Sequence, residues 1–502
     1  MHHILHIDKN KMSNRPIRTT YLPVIAAFLI IIGILIGYAL GGKKTIFASN
    51  AKPSTIDEVA ALIHENYVDS ISYSDIQKYA IKGILEHLDP YSHLSAPNQN
   101  IKEKEKMNGF YRGIGLVVSS CQDSLYIVGV LDNSPATEGD FQPGDRLYSI
   151  NGQPLTSANF DQILSNTQNQ IEIQTFRNGK PIRQRLMYSY IALKNIADVK
   201  ILDKNSAVVS IEHFSNTTYE DLMRCLDSLK NKHNIKNIIF DLRDNPGGYL
   251  DVAKKILDEI IEPGKLLVYT IDRNGNKLEY RSQGNPHFLF EQMSVLINEH
   301  SASSSEVFAG AIQDNKKGVI IGQTSYGKAM VQEHYDLSDG SGLRLTVAQY
   351  FTPSGQNINR SPNDSTKRGG INPNIFVRQN MAAFSEDLND AILKYAESYW
   401  MTNHVALKNQ YKTQSQFPQN LNITNDELKA QILESLKDNK SYLALLNKVN
   451  AQTNTVRLHF EYELSKFIFR NTYRYIYLDD YLTQSLRFFN EPQYRQQVMS
   501  KN

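Results

Sequence analysis

The chain has 502 residues, which at roughly 100–200 residues per domain predicts about three domains. Its 54 basic residues nearly balance 52 acidic ones, so the net charge of +2 gives no indication of nucleic-acid binding. A hydrophobic content of 41% with 21% charged residues excludes a mostly disordered chain. The two cysteines, Cys121 and Cys225, are too few for a disulfide framework or a four-thiolate zinc site, and we expect them to be buried.

Residues 21–40 form a stretch of 20 residues without a charge, long enough to cross a bilayer as one helix. A cleaved signal peptide is the alternative, but its apolar region is usually shorter, and no A-x-A-like site closely follows Leu40. Basic residues are more numerous before the stretch than after it: Lys9, Lys11, Arg15 and Arg18, then Lys43 and Lys44. The positive-inside rule therefore predicts a cytoplasmic tail over residues 1–20, with the bulk of the chain outside the cytoplasm.

Helical spacing of apolar residues predicts an N-terminal helical region over residues 54–100. Ser54 lies three residues before Asp57, which is typical of a capping box. The helical region is expected to stop at Asp89-Pro90, because proline disfavours a helical backbone in the residue before it.

Short strands and turns replace this pattern between residues 109 and 190. Strands are predicted at 117–118, 125–130 and 146–150, and a short amphipathic helix near residues 160–164. The sequence therefore indicates a small β domain in this part of the chain.

Strands and helices then alternate, which favours an α/β sheet with parallel strands. The predicted strands are 207–211, 237–242, 293–297 and 319–322, and the predicted helices are 219–230, 251–261 and 304–314. After residue 377 the chain turns polar and helical through to residue 502, without a recognisable motif.

The run Glu299-His-Ser-Ala-Ser-Ser-Ser-Glu306 follows a predicted buried strand and opens a helix. A serine at such a turn can expose its hydroxyl, and the helix N-terminus offers amides to a developing oxyanion. The same run has a purely structural interpretation, because Ser303 and Glu306 have the spacing of a capping box.

Two further runs contain chemically useful residues, although each also has a structural explanation. Residues 321–328 (IGQTSYGK) lead from a strand into a glycine turn with Lys328 beyond it; a lysine can act as a base only if burial lowers its pKa. Residues 238–248 (IIFDLRDNPGG) end a buried strand in a glycine pair, which lets backbone amides approach a ligand or simply makes a tight turn.

Together these runs resemble the C-terminal processing peptidases, a family of tail-specific proteases with a serine–lysine dyad. The resemblance also includes residues 88–92 (LDPYS) and 346–355 (TVAQYFTPSG), and it extends over residues 54–378. It implies an α/β multidomain protein with a crotonase/ClpP-like peptidase core at 191–378, a PDZ domain at 105–190 inserted before it, and a helical C-terminal extension at 379–502.

By the same resemblance Ser303 is the nucleophile, Lys328 is the general base and Gln332 positions the lysine. Ser304 stands where the family usually has alanine, and Ala329 where it has glycine. The other implied positions are the supporting residue Asp314 and the oxyanion donors, which are the amides of Gly247 and Ser304.

Residues 109–190 resemble a PDZ domain. Its carboxylate-binding loop corresponds to Arg112, Gly113, Ile114, Gly115 and Leu116, whose amides would receive a peptide C-terminus while the peptide adds as a strand. The alternative is a β domain that only packs against the protease.

These inferences predict a serine endopeptidase anchored by one helix in the inner membrane, with its bulk in the periplasm. It would cleave polypeptides with apolar C-termini, without metal or organic cofactor, and the sequence leaves a homo-oligomer open. A Ser-His-Asp mechanism using His300 is a chemical rival, but the G-x-S-x-G and G-D-S-G runs are absent. The other alternative is a catalytically inactive PDZ scaffold or chaperone on the same fold.

Overall fold

The structure is a computed structural model that describes residues 54–121, 124–165, 169–284, 286–360, 369–377, 384–411, 421–469 and 480–500. The predicted transmembrane segment at 21–40 lies outside these ranges. Within them, no helix is both long enough and apolar enough to span a membrane. The chain divides into two compact units, one ending at Leu88 and the other beginning at Asp89.

In the first unit, the described residues 54–88 contain two helices, α1 (Thr55–Asn66) and α2 (Tyr73–Glu86). The predicted capping box is present, because the Ser54 hydroxyl and the Asp57 carboxylate each bond the backbone N–H of the other residue. The second helix ends three residues before Asp89. The predicted N-terminal region at 54–100 therefore crosses the boundary between the two units.

The second unit begins with a short strand, β1 (His93–Ser95), and a helix, α3 (Pro97–Met107). A PDZ-like domain follows, made of β2 (Phe110–Gly113), β3 (Leu116–Cys121), β4 (Ser124–Val130), β5 (Arg146–Ile150), β6 (Gln153–Pro154), α4 (Phe160–Ser165), β7 (Gln170–Arg177), β8 (Lys180–Met187) and β9 (Ser189–Ala192). Its main sheet has the strand order β3-β4-β5-β7-β8, and β2 pairs with β9 where the chain enters and leaves the domain.

The α/β region begins after the PDZ-like domain. Its elements are β10 (Ile196–Ile201), β11 (Ser206–Ile211), α5 (Thr218–Asp227), β12 (Asn237–Asp241), α6 (Leu250–Asp258), β13 (Leu266–Asp272), β14 (Lys277–Arg281), β15 (Gln292–Ile297), α7 (Ser304–Asp314), β16 (Val319–Gly322), β17 (Met330–Asp336), β18 (Gly342–Phe351) and β19 (Ile375–Phe376). The central sheet has the order β10-β11-β12-β15-β16-β19, and all its neighbours except β10 and β11 run parallel. Strands β11, β12 and β16 are buried along their whole length, and β15 is buried except at Gln292, as parallel strands covered on both faces must be.

A second, antiparallel sheet joins distant parts of the chain. Its order is β1-β18-β13-β14, and β17 also pairs with β18. This sheet brings residues 93–95 beside Gly342–Phe351, and β17 carries Gln332.

The C-terminal region contains two different structures. Helices α8 (Glu386–Gln410), α9 (Asn425–Leu436), α10 (Tyr442–Ala451) and α11 (Thr453–Phe469) form a bundle around their own apolar core. Helices α12 (Asp480–Asn490) and α13 (Pro492–Ser500) instead cover one face of the central sheet, opposite the face covered by α5, α6 and α7. The region predicted as one extension, 379–502, therefore supplies a layer of the α/β core as well as a separate bundle.

Candidate active site

Ser303 lies at a sharp turn between a strand and a helix of the central sheet. Strand β15 ends at Ile297 and α7 begins at Ser304, as the spacing of the run predicts. Ser303 has a φ of 57°, a left-handed conformation that is strained for a residue with a side chain. Ser303 is half-buried, whereas its neighbours Ala302 and Ser304 are buried. The turn thus exposes one serine of the cluster.

The other serines of the run have structural roles. Their hydroxyls donate to backbone carbonyls: Ser301 to Leu242 at 2.7 Å, Ser304 to Gly248 at 2.8 Å and Ser305 to Asn245 at 3.0 Å. No such donation by Ser303 is recorded in the described part of the chain. The bond from Ser304 also explains why a serine is accommodated where the family has alanine.

The glycine pair after β12 lies directly against the Ser303 turn. A Cβ on Gly247 would come within 2.8 Å of the Ser303 Cβ, and a Cβ on Gly248 would come within 2.2 Å of the Phe214 carbonyl oxygen. Real Cβ atoms do not approach so closely, so both positions require glycine. Asn245 fixes the approach, because its carbonyl accepts from the Ala302 N–H at 3.0 Å.

The backbone amides around Ser303 differ in their availability to an oxyanion. The Gly247 N–H donates to the Asn245 Oδ1 at 2.8 Å, so it is not a free donor here, contrary to the expectation from sequence. The Gly248 and Ser304 N–H groups have no recorded acceptor among the described residues. An oxyanion needs donors that are not already occupied, so the Gly247 N–H would have to leave the Asn245 Oδ1 before it could act as one.

Glu306 is a fully buried carboxylate that joins the serine turn to the lysine turn. Its Oε2 accepts from the backbone N–H groups of Ser303 and Lys328, each at 2.8 Å. Its Oε1 accepts from the Ser325 hydroxyl at 2.6 Å and the Gly327 N–H at 2.7 Å. Burial raises the pKa of the Glu306 carboxyl, and these four donors oppose that effect by favouring the ionised form.

Tyr350 provides a second shared anchor for the two turns. Its hydroxyl lies 3.1 Å from the Ser303 carbonyl oxygen and also contacts the Lys328 carbonyl oxygen. The ring is buried, and burial raises the pKa of the phenol well above its usual value, so the group remains a donor. Ser303 and Lys328 are thus held together through both their amides and their carbonyls.

The Lys328 side chain lies in a partly buried position beside Gln332 and Tyr91. Its Nζ is 2.9 Å from the Gln332 Oε1 and 4.8 Å from the centre of the Tyr91 ring. The Gln332 Nε2 donates to the Tyr91 carbonyl oxygen at 2.6 Å, so the amide is held at both ends. Gln332 can therefore orient the lysine amine.

Burial lowers the pKa of Lys328, and the nearby positive charge of Arg344 lowers it further. Asp89 and Glu306 act in the opposite direction but do not reverse the shift. A lower pKa increases the fraction of neutral amine, which is the form that can accept a proton.

The LDPYS motif forms the turn that presents Tyr91 to this lysine. The Asp89 carboxylate accepts from the Tyr91 N–H at 2.9 Å, the Ser92 N–H at 3.1 Å and the Ser92 hydroxyl at 2.8 Å. The Ser92 hydroxyl in turn accepts from the Thr346 N–H at 3.1 Å on β18. A motif assigned by resemblance to the N-terminal helical element is therefore part of the lysine environment.

Asp314 and His300 lie in other surroundings. Asp314 is the last residue of α7, and its Oδ2 accepts from the Ser354 N–H at 2.8 Å, so it fixes the TPSG turn. His300 is exposed, and its backbone N–H donates to the Asn298 Oδ1 at 3.2 Å. The described contacts of His300 do not include Ser303.

The predicted peptide-binding residues of the PDZ-like domain line one groove. The groove encloses about 560 Å³, and its lining includes all of residues 111–116 together with apolar side chains from α3 and α4. Lys102 and Lys106 of α3 also reach it, together with Glu105, whose carboxylate accepts from the Arg112 N–H at 3.0 Å, so the groove carries charges of both signs. Gly115 has a φ of 83°, and a Cβ there would meet Ser134 at 2.1 Å, so this loop conformation depends on glycine.

Comparison with known proteins agrees with both predicted domains. A model of peptidase family S41 matches residues 205–377, and a PDZ domain model matches residues 126–174. Residues 205–377 are therefore similar to a family S41 peptidase domain, and the chain is a serine peptidase. The carboxy-terminal processing protease CtpB of Bacillus subtilis is 28% identical over 334 residues, which cover 64% of this chain and 67% of that protein.

A second sequence relative and one solved structure are also similar to this chain. The carboxyl-terminal-processing protease of Synechocystis is 29% identical over 351 residues, covering 66% of this chain and 79% of that protein. A solved structure of the photosystem II D1 C-terminal processing protease shares 21% identity at a TM-score of 0.38, covering 65% of this chain and 93% of that one. The two domain models and the two sequence relatives confirm the resemblance recognised from the sequence motifs.

Sequence analysis missed three residues of this S41 site: Glu306 as a junction between two turns, Tyr350, and Asn245. The Glu306 spacing was visible, but only as a capping box. Tyr350 and Asn245 lie within recognised motifs, yet nothing in the sequence shows that the Tyr350 hydroxyl and the Asn245 backbone carbonyl contact the Ser303 turn.

We expect Glu306→Gln to lower kcat/KM by about 100-fold, because the amide nitrogen would face backbone N–H groups and displace both turns. Cleavage of a peptide substrate by the folded variant measures the effect. Glu299→Gln is the matched control, since Glu299 is exposed in the same loop and its loss should leave the rate unchanged. Wild-type activity in Glu306→Gln would contradict this role.

Proposed function

We propose that this chain is a membrane-anchored endopeptidase that binds substrate C-termini in its PDZ groove and cleaves with a Ser303–Lys328 dyad. The observation that carries the proposal is the shared anchoring of the two residues. The Ser303 and Lys328 amides donate to one oxygen of Glu306, and the Lys328 amine is held by Gln332 in a partly buried position.

In the proposed reaction, the Ser303 hydroxyl attacks the scissile carbonyl while Lys328 accepts its proton. The Ser304 amide stabilises the oxyanion, joined by the Gly247 amide once that amide leaves Asn245, and Lys328 returns the proton to the leaving amine. Water then hydrolyses the acyl-enzyme by the reverse proton transfers. The lowered pKa of Lys328 supports this role, because a charged ammonium cannot act as a base.

The PDZ groove supports recognition of a free, apolar C-terminus. Ile114 and Leu116 contribute to the apolar core and the groove lining, while the glycine-rich loop carries backbone amides suited to a carboxylate. Lys102 and Lys106 of α3 add positive charge to the same groove, which also contains the Glu105 carboxylate.

Membrane attachment is proposed from the sequence alone. The uncharged stretch at 21–40 and the excess of basic residues before it favour one span, with the peptidase and PDZ domains on the periplasmic side of the inner membrane.

The dyad predicts a specific pattern of activity loss. Ser303→Ala should lose turnover of an unfolded, apolar-ended substrate, which also distinguishes the enzyme from an inactive scaffold. Lys328→Arg and Lys328→Ala should be nearly inactive, because guanidinium cannot serve as a base and alanine has no amine. His300→Ala should retain most of its turnover. Substantial activity in Lys328→Arg, or loss confined to His300→Ala, would defeat the dyad.

The charge of Arg344 predicts a pH effect. Neutral Lys328 is the active form, so activity should be present above the pKa of Lys328 and lost as the pH falls below it. Arg344→Gln removes a positive charge that lowers this pKa, so the acidic limb of kcat/KM should move to higher pH. Arg185→Gln is the control, because it removes from β8 a charge that pairs with Glu172 of β7. An unmoved limb, or one moved to lower pH, would exclude this account.

Carboxylate recognition predicts that amidating the substrate C-terminus weakens cleavage, because the amide removes the negative charge that the loop would bind. Rates for matched acid and amide peptides would test this. Equal rates would count against C-terminal recognition by the PDZ groove.

The proposed topology predicts that a C-terminal reporter active only in the cytoplasm stays dark when fused to the full chain, because the reporter would lie outside the cytoplasm. The same reporter fused to a chain lacking residues 1–40 should be bright. A bright full-length fusion would overturn the topology.

A further inference from the structure

Strand β10 lies at one edge of the central peptidase sheet. In the described part of the chain it pairs only with β11, in an antiparallel ladder from Ile196 to Ile201. The backbone groups on its other side point away from the sheet, and an edge of this kind can pair with a further strand. Two apolar side chains of the strand, Val199 and Ile201, are 38% and 43% exposed. The edge thus offers backbone groups and apolar surface at one place.

A groove of about 970 Å³ lies beside this edge. Its lining includes Val199 and Ile201 of β10, Cys225 of α5, Leu229 just after that helix, and residues 131–133 of the PDZ-like domain. A strand added to β10 would lie about 4.8 Å from it, so its side chains on this face would reach into the groove.

The charges of β10 are arranged symmetrically about Val199. Asp198 precedes it and Lys200 follows it, so these two side chains lie on one face of the strand and Val199 lies on the other. If a second β10 pairs antiparallel with Val199 opposite Val199, each Asp198 lies directly opposite Lys200 of the other copy. Two ion pairs then form on one face, and apolar side chains meet on the other.

The same charges disfavour the neighbouring alignments of two β10 strands. A shift of one residue would turn every side chain of one strand to the wrong face, so the nearest alternatives are shifts of two residues. These shifts place Asp198 opposite Asp198, or Lys200 opposite Lys200. Like charges directly opposite each other are destabilising, so the strand specifies one self-complementary alignment.

Both charges are already half-buried within one copy. Burial raises the pKa of Asp198, and Lys200 opposes this rise most strongly. Burial likewise lowers the pKa of Lys200, and Asp198 opposes that shift. Because a partly desolvated charge interacts more strongly with an opposite charge than an exposed one does, each side chain would be stabilised by its counterpart in a second copy.

Strand β8 shows a different arrangement at the edge of the PDZ sheet. It carries three basic residues, no acidic residue, and Pro181. Like charges repel a second copy of such a strand, and a proline cannot donate to a ladder. Strand β10 has none of these protections, and its charges favour self-pairing.

We propose that β10 is a self-association surface whose occupant is β10 of a second copy of this chain. The two six-stranded sheets would join into one sheet of twelve strands, about a two-fold axis through Val199. Ser303 follows β15, which is separated from β10 by β11 and β12. Self-association through β10 therefore leaves the catalytic residues of each copy in place.

The first test uses charge reversals in the full chain, solubilised in detergent. Asp198→Lys places lysine opposite lysine and Lys200→Asp places aspartate opposite aspartate, so each variant alone should self-associate about 10- to 100-fold more weakly than the wild type. An equal mixture of the two variants restores both ion pairs, so differently tagged copies should co-purify. Lys255→Asp is the matched control, because it makes the same substitution at an exposed position of α6 and should associate like the wild type.

Sedimentation measures the size of each assembly, and circular dichroism shows that each variant is folded. A wild type that does not self-associate would overturn the proposal; this is the result expected if the edge instead takes a substrate segment or another part of the same chain. Single variants that associate like the wild type, or a mixture that associates no better than either variant alone, would overturn it as well.

The second test locates the two-fold axis in a chain whose native cysteines, Cys121 and Cys225, are replaced by serine. Val199→Cys places two thiols directly opposite each other, with Cα atoms about 5 Å apart, which a disulfide can bridge. Ile201→Cys is the matched control, because it is exposed on the same face of β10 but its counterpart in the other copy would lie about 13 Å further along the strand.

Mild oxidation should convert most of the Val199→Cys chain to a covalent dimer and leave the Ile201→Cys chain as single chains. Denaturing electrophoresis without reductant distinguishes the two products. Equal cross-linking of both variants, or no cross-linking of Val199→Cys, would overturn the alignment about Val199 and the proposal with it.

Discussion

A single buried carboxylate, Glu306, determines the geometry on which the rest of the site depends. Each of its oxygens accepts two donors, and three of the four are backbone N–H groups of the serine and lysine turns. A buried charge of this kind is tolerated only when its lone pairs are satisfied, so the carboxylate and the two turns require each other. The strained φ of Ser303 persists because this bonding, together with the close approach of Gly247, leaves the turn no alternative conformation.

Glu306 also makes the structural and the catalytic interpretations of the serine run compatible with each other. A carboxylate three residues into a helix accepts from the N-cap amide, as a capping box requires, and here the same oxygen accepts from Lys328. Helix α7 and strand β16 have the bounds predicted from the sequence, because local apolar patterning specifies both. The burial of Lys328 could not be predicted in this way, since it depends on Tyr91, which reaches the lysine only through the pairing of β1 with β18.

The C-terminal region shows even more strongly that local sequence patterns do not specify tertiary contacts. Its helices were predicted from composition, but an amphipathic pattern identifies an apolar face without identifying what covers it. Helices α8 to α11 cover one another, whereas Phe488 and Phe489 of α12 pack on the peptidase sheet. The contact of Trp400 with Val128 depends on a bulge in a strand of another domain. The apolar periodicity within residues 379–502 does not indicate which surface each helix covers. The sequence of this region therefore predicts helices but not their packing partners.

One short helix, α3, contacts both the surroundings of Lys328 and the loop that lines the PDZ groove. Arg344, which lowers the pKa of Lys328, lies 3.5 Å from Glu103 of α3. Two residues further along α3, the Glu105 carboxylate accepts from the Arg112 N–H at 3.0 Å, in the loop that lines the PDZ groove. A displacement of α3 would therefore alter both the charge near Lys328 and the loop proposed to receive a substrate carboxylate. Helix α3 also leads directly into Gly109, where the chain enters the PDZ domain and where the Gly109 carbonyl accepts from the Leu193 N–H at 2.8 Å. One short helix therefore joins the surroundings of Lys328, the groove and the connection between the two domains.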